Sequence, residues 1–129
     1  MDLLTVLLIG IAGGIGAALR YLIDRAIPVR SWRLGTLTVN VLGSFLLGAM
    51  TAMWIGETGS GEGSATQWLA ILGTGFCGGL TTFSSASLDA VELAQEESPR
   101  RADAYQSLML LGCLLAAILG LMIGALMTS

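Results

Sequence analysis

Histidine is absent from this 129-residue chain, and charged residues make up only 12% of it. No Asp or Glu falls between Leu3 and Leu19, between Leu34 and Gly56, or between Gln106 and Ser129. Proton relays and proton-coupled cation export normally need an ionisable residue at membrane depth, so that chemistry is excluded. Ser84 and Ser85 have no activating base nearby in sequence, and with no nucleophile–base pair visible the chain reads as not an enzyme. There is no basic patch for nucleic acid. The formal net charge of −3 comes from acidic loops and says little about partners. The two cysteines, Cys77 and Cys113, have no metal-ligand spacing and read as small apolar fillers.

What is present is apolar. The mean hydropathy is +0.80, and four uncharged runs stand out: Leu3 to Leu19, Leu34 to Gly56, Gly63 to Leu88, and Gln106 to Ser129. About 20 residues cross a bilayer as a helix, so each run is read as one transmembrane helix. Residues 1–129 then form a single four-helix transmembrane domain, an all-α membrane protein in contact with membrane lipid. The first run carries Asp2 and no Lys or Arg ahead of it, which argues against a signal peptide.

The third run is unlike the others. In residues 73 to 87, four of fifteen are Gly and six are Ser or Thr. Glycine weakens a helix by about 1 kcal/mol per residue relative to alanine, and Gly78-Gly79 is a tandem pair. A helix is expected from near Trp68, unwinding around Gly78 to Thr82 and resuming at Phe83. Backbone freed by such a break must be buried, line a watery path or hold an ion, because lipid satisfies none of its polar groups. Transporters and channels place their ions at breaks of this kind.

Elsewhere the polar residues are few enough to weigh singly. Gly10 and Gly14 have the spacing that lets two membrane helices approach closely. Arg20 reads either as a side chain snorkelling to the interface or as a cation at a pore mouth that draws anions in. Trp32, in the loop from Asp24 to Arg33, is placed for an interfacial anchor. Thr36, Asn40, Ser44 and Gly48 share one helical face. The Asn40 amide reads as an interhelical hydrogen bond or as a neutral donor of two N–H groups to an anion. Residues 56 to 67 form a polar surface loop. From Leu88 to Glu97 a helix continues with Ala90, Val91, Leu93 and Ala94 on its apolar side. Asp89 is either solvated or an acid with a specific partner. Gly112, Ala116, Gly120 and Gly124 form a packing face on the last helix, with Tyr105, Met109, Cys113 and Ala117 on a neighbouring one. The inventory is hydroxyls, one amide, aromatic edges and exposed backbone, which suits a small, strongly hydrated ion, and donor groups suit an anion. Four helices enclose little alone, so an oligomer is expected.

Two motifs carry a resemblance: Gly35-Thr-Leu-Thr-Val-Asn40 followed by Gly43, and Gly78-Gly-Leu-Thr-Thr-Phe-Ser84. Together with Gly16-Ala-Ala-Leu-Arg20, they make the chain resemble the Fluc (CrcB) fluoride channels over essentially its whole length. The resemblance implies a dual-topology subunit that pairs antiparallel, two pores per dimer, and passive export of fluoride from the cytoplasm of a bacterium across its inner membrane. It implies a structural sodium ion at the dimer centre, held by the backbone carbonyls of Gly78 and Thr81. Asn40 would line the pore with Ser44, Thr82, Phe83, Ser84 and Tyr105, and Arg20 would be the vestibule cation. Departures are also visible. The second phenylalanine of the family's pair is Ala86 here, and the polar track along the last helix survives only at Tyr105, its later positions being Met109, Cys113 and Ala117. Asp89 stands where the family has Glu.

The arginines add an expectation about the partner subunit. Arg25, Arg30, Arg33, Arg100 and Arg101 all fall on one side of a four-helix layout, with Arg20 nearest to it, and the other side has no Lys or Arg. Because such bias sets orientation, a fixed orientation with both termini outside the cytoplasm is expected, with a paralogous partner completing a heterodimer. A homodimer that tolerates the departures is the alternative. A non-conducting assembly subunit, or a small transporter of another ion, would be the rival functions. The small multidrug transporters, of similar length, rely on a Glu in the first helix that this chain lacks.

Overall fold

The structure, a computed structural model, describes residues 1–28, 33–55 and 63–129. Expectations that rest on Arg30, Trp32 and most of the 56–67 loop lie outside the described residues. Among those described, all regular structure is helical. Helix α1 spans Leu3–Ala26 and α2 spans Leu34–Ile55. The third span has two halves. The first, α3, joins an α-helical turn at Ser64–Trp68, a π-helical stretch at Leu69–Cys77 and a last α-helical turn at Gly78–Leu80; the second, α4, is Phe83–Glu96. Helix α5 spans Pro99–Met127. Among the described residues four segments are therefore long and apolar enough to cross a membrane, as the hydropathy runs require.

Capping marks the ends locally. Asp2 accepts from the Thr5 N–H at 3.1 Å and from the Thr5 hydroxyl, and these bonds, the hydroxyl's first, hold its carboxyl below its ordinary range. Ser98 caps α5 by accepting from the Arg101 N–H at 3.2 Å, with Pro99 in the first turn where its missing N–H costs nothing.

Small residues then decide which helices touch. Gly120 and Gly124 on α5 lie against the Phe45 and Ala49 carbonyls of α2, and Gly48 of α2 lies against Ala117. A side chain at any of these would fill the space occupied by backbone, so the packing face read on the last helix is its seam with α2. On α1 the close approach to α3 uses Gly13 and Gly16 rather than the expected Gly10 and Gly14. Gly16 meets the Phe76 carbonyl and Gly79 meets the Gly13 carbonyl, whereas a Cβ at Gly10 or Gly14 would meet nothing within 4 Å. The packed pair is three residues apart rather than four, because α3 approaches that face through its own glycines, and Gly10 and Gly14 face away from the subunit's other helices. Gly75, whose added Cβ would lie 2.7 Å from the Ile9 carbonyl oxygen, lies within the π-helical stretch. Its wider turns, rare in proteins and enriched at functional sites, were not legible in the sequence.

Between α4 and α5, Ala90, Leu93, Ala102 and Tyr105 form a buried cluster with Ala94 and Met109 packed against it. Val91, expected on that apolar side, points outward. Large apolar side chains such as Ile11, Leu110, Leu115 and Leu126 are exposed along the outer faces. That pattern suits lipid and would be unfavourable in water. The chain is a multi-pass membrane protein.

Candidate ion pathway at the helix break

The break is narrower than the glycines suggest. Gly78–Leu80 stays helical, and only Thr81 and Thr82 are extended, at φ/ψ of −80/159° and −152/120°. Glycine permits unwinding but does not impose it; the two threonines have partners that do. Both the N–H and the hydroxyl of Thr81 donate to the Cys77 carbonyl at 2.9 Å, closing α3. The Thr82 hydroxyl opens α4 by accepting from the Ser85 N–H at 3.1 Å, and it lies 3.2 Å from the Ser84 hydroxyl.

Asn40 holds the break open from α2. Its Oδ1 accepts from the Thr82 N–H at 2.7 Å, and its Nδ2 donates to the Thr82 carbonyl at 3.0 Å. A backbone N–H can only donate, so the orientation of the amide follows. One side chain thus imitates a strand partner for one extended residue, and all four atoms are buried away from competing water. The second Nδ2 hydrogen reaches Met109 Sδ at 3.4 Å. Both donors on which a neutral-donor role would rely are therefore in use, one firmly and one on a weak sulfur acceptor. Arg20 supports the other extended residue, its Nη1 donating to the Thr81 carbonyl at 3.3 Å. Because the Thr82 N–H goes to Asn40, it does not close the next helical turn onto the Gly78 carbonyl.

Two cavities meet at this point. The larger, about 820 Å³, is lined by Asn40, Ser44, Thr82, Phe83 and Tyr105, and also by Gly78 and Thr81. The smaller, about 410 Å³, is lined by Arg20, Asp24, Arg33, Thr36, Ser85 and Asp89. Thr82 lines both. Ser84 lines neither of these two, its neighbour Ser85 taking the inward position. Phe83 is 88% exposed on the face where the larger cavity opens. Of the departures from the family pattern, Ala86, Met109 and Cys113 line the larger cavity, but Ala117 does not, being turned toward Gly48.

Asp89 has specific partners, which settles its two readings. Its Oδ2 accepts from the Thr36 hydroxyl at 2.6 Å and from the Tyr105 hydroxyl at 3.3 Å. The carboxylate therefore ties α4 to both α2 and α5, and the Tyr105 hydroxyl is turned to it while the residue still contributes to the cavity wall. At the mouth of the smaller cavity, Arg33 pairs with Glu92 at 3.0 Å and Glu96 at 3.2 Å. These pairs put the start of α2 and the end of α4 at the same end of the bundle. Thr36 lies on the face it shares with Asn40, as the four-residue spacing reads; nothing in the sequence signals the contact with Met109.

A small membrane protein whose third span parts between two cavities, with an amide, hydroxyls and an arginine at the break, has the features of the class that carries ions through a bundle. A family model described as CrcB-like protein, Camphor Resistance (CrcB), matches residues 7–121, and the chain belongs to that family. It is 46% identical over 129 residues to the fluoride-specific ion channel FluC 1 of Leifsonia xyli subsp. xyli, covering 98% of this chain and 90% of that one. It is 41% identical over 125 residues to FluC 2 of Cutibacterium acnes, covering 95% and 98%. A fluoride-specific ion channel FluC of Pyrococcus abyssi matches at 43% over 97 residues, 74% of this chain and 76% of that one.

Proposed function

We propose that this chain is one subunit of a passive, fluoride-selective channel in the bacterial cell membrane, releasing the ion from the cytoplasm and so lowering its toxicity. The observation that carries the reading is the break at Thr81–Thr82, where two cavities share Thr82 and an amide and hydroxyls stand among otherwise mainly apolar walls. Relatives along nearly the whole chain bear the name of fluoride-specific channels. Fluoride holds its water tightly, so a path for it must offer replacement donors. In the smaller cavity Arg33 is paired with Glu92 and Glu96 and the acids Asp24 and Asp89 also line the wall, so Arg20 beside the break is the cation that could draw an anion toward it.

A second subunit completes the path. Phe83, at 88% exposure beside an open-sided cavity, needs a cover, and lipid would cover the Asn40, Ser44 and Thr82 groups of that cavity poorly. An antiparallel copy or paralogue would bring two such faces together and give two pores. The arginine bias supports a fixed orientation and hence a paralogous partner. Equal cytoplasmic and external signals from reporters fused to the C-terminus would refute fixed orientation.

A sodium ion at the centre of that pair is compatible with the break. The Gly78 carbonyl is released by the bond between Thr82 and Asn40, and the space beside the Gly78 Cα is open. The Thr81 carbonyl shares its oxygen with Arg20, leaving one lone pair for a cation. Gly78 and Thr81 would hold the ion through neutral, hard oxygens, two from each subunit, and the ion would join the subunits while adding positive charge near the path. Among the described residues there is no cluster of acidic or thiol side chains to hold it instead.

The test is efflux from liposomes containing the purified chain, alone and with a paralogous partner, followed with fluoride and chloride electrodes. Fluoride efflux without chloride efflux supports the channel. Chloride movement at a similar rate would point to a transporter or channel for another ion, and no efflux in either preparation would point to an assembly subunit.

A further inference from the structure

The Asn40 amide makes three contacts of unequal strength. Two join it to the Thr82 peptide at 2.7 and 3.0 Å, one to its N–H and one to its carbonyl. The third runs from Nδ2 to Met109 Sδ at 3.4 Å. Thioether sulfur is a weak acceptor on a side chain with three rotatable bonds. Asn40 and Met109 both line the larger cavity, and Met109 is half-buried, so the sulfur can leave without opening the fold.

We propose that Met109 is a displaceable stopper: its sulfur occupies the one Asn40 hydrogen that an anion in the cavity can reach, and the ion binds there by pushing it away. The proposal rests on the channel reading above and assigns a specificity-determining role within it to a residue with no donor of its own. It also accounts for how an asparagine already committed to the backbone can serve an ion. The clamp hydrogen stays on Thr82 while only the sulfur-facing hydrogen changes partner. A small, strongly basic anion gains most from this exchange. A fluoride ion accepts a hydrogen bond far better than a thioether does, whereas chloride, larger and a weaker acceptor, gains less and must displace more of the side chain.

The consequence is a cost to binding that disappears when the sulfur is removed but the bulk is kept. Met109→Leu retains apolar volume and has no acceptor. Met109→Ser clears space and adds a hydroxyl that can donate to the ion. Losing a competing bond at the weak end of the range for hydrogen bonds should tighten fluoride binding about two- to threefold in Met109→Leu.

The experiment is a fluoride titration of the purified full-length protein in micelles, with the Asn40 side-chain amide selectively labelled with nitrogen-15. In the wild type one amide proton should move with fluoride and the other, held by the Thr82 carbonyl, should stay. In Met109→Leu the sulfur-facing proton should start shifted, and fluoride should saturate it at a concentration about two- to threefold lower. Equal affinity in wild type and Met109→Leu, or movement of both protons together, would overturn the stopper. Met109→Ser supplies a second measurement should Met109→Leu fail to fold. Liposome efflux separates this failure from failure of the channel reading: efflux that is fluoride-selective in the wild type but unchanged in both variants refutes the stopper alone, and absence of fluoride movement with and without a partner subunit refutes the channel.

Discussion

Replacing Asn40 with alanine discriminates between two accounts of the only asparagine in the chain. If the amide is one ordinary interhelical hydrogen bond, its loss should cost about 0.6 kcal/mol, the average for such bonds inside membranes. The structure argues for more. Asn40→Ala strips the Thr82 N–H of an acceptor at 2.7 Å and the Thr82 carbonyl of a donor at 3.0 Å. Thr82 is buried, at 8% exposure, as is Asn40. A buried polar group left unsatisfied costs about 1–3 kcal/mol, so two of them cost about 2–6 kcal/mol. Water entering through the cavity favours the lower end of that range. The assay is unfolding of the purified protein in detergent, by heat and by titration with a denaturing detergent, paired with fluoride efflux. A loss of at least about 2 kcal/mol, together with suppressed efflux, is expected. A stability change within about 0.6 kcal/mol of zero would refute the clamp, and Asn40→Asp with undiminished fluoride efflux would refute a role beside the ion, since a fixed negative charge there repels an anion.

The glycines give a paired prediction. Gly16→Ala drives a methyl group into the Phe76 carbonyl and should sharply reduce the yield of folded protein, with overpacking costs of about 1–3 kcal/mol, whereas Gly10→Ala meets nothing within the subunit and should leave its folding intact; size-exclusion yield from detergent separates the two. At the acidic tie, Asp89→Ala removes the shared acceptor of Thr36 and Tyr105 and should cost about 1–3 kcal/mol. Tyr105→Phe in the Asp89→Ala background should then cost less than it does alone, and strict additivity in the melting data would show that the tie is not formed.

Four spanning helices, their order and the existence of a break follow from composition along the chain, because a bilayer admits few solutions. Long uncharged runs must become helices, and backbone polar groups have no water to fall back on. The location of the break was legible to within a few residues, from Gly78-Gly79 and the hydroxyls after them. Asn40 stood out for a related reason, as a lone amide in an apolar run. What composition leaves open is which face of a helix meets which neighbour. Gly10, Gly13, Gly14 and Gly16 are equally small, and only the position of α3 selects Gly13 and Gly16. The same holds for Ser84 and Ser85, which differ by one residue and about a hundred degrees around the helix, and for Ala117, whose place on a polar track gives way to its seam with Gly48.

The extent of unwinding was decided by tertiary structure alone. Glycine makes a helix easy to break, but Gly78 and Gly79 remain helical because Gly79 packs against the Gly13 carbonyl of α1. Thr81 and Thr82 are extended because Arg20 and Asn40, sixty-one and forty-two residues away, supply the backbone partners that the next helical turn would have supplied. The contact between Asn40 and Met109 belongs to the same category, joining residues sixty-nine apart through a sulfur whose sequence context marks it only as apolar. Local sequence sets where the backbone can yield. Side chains from distant helices, through short hydrogen bonds in a medium without competing water, determine where it does.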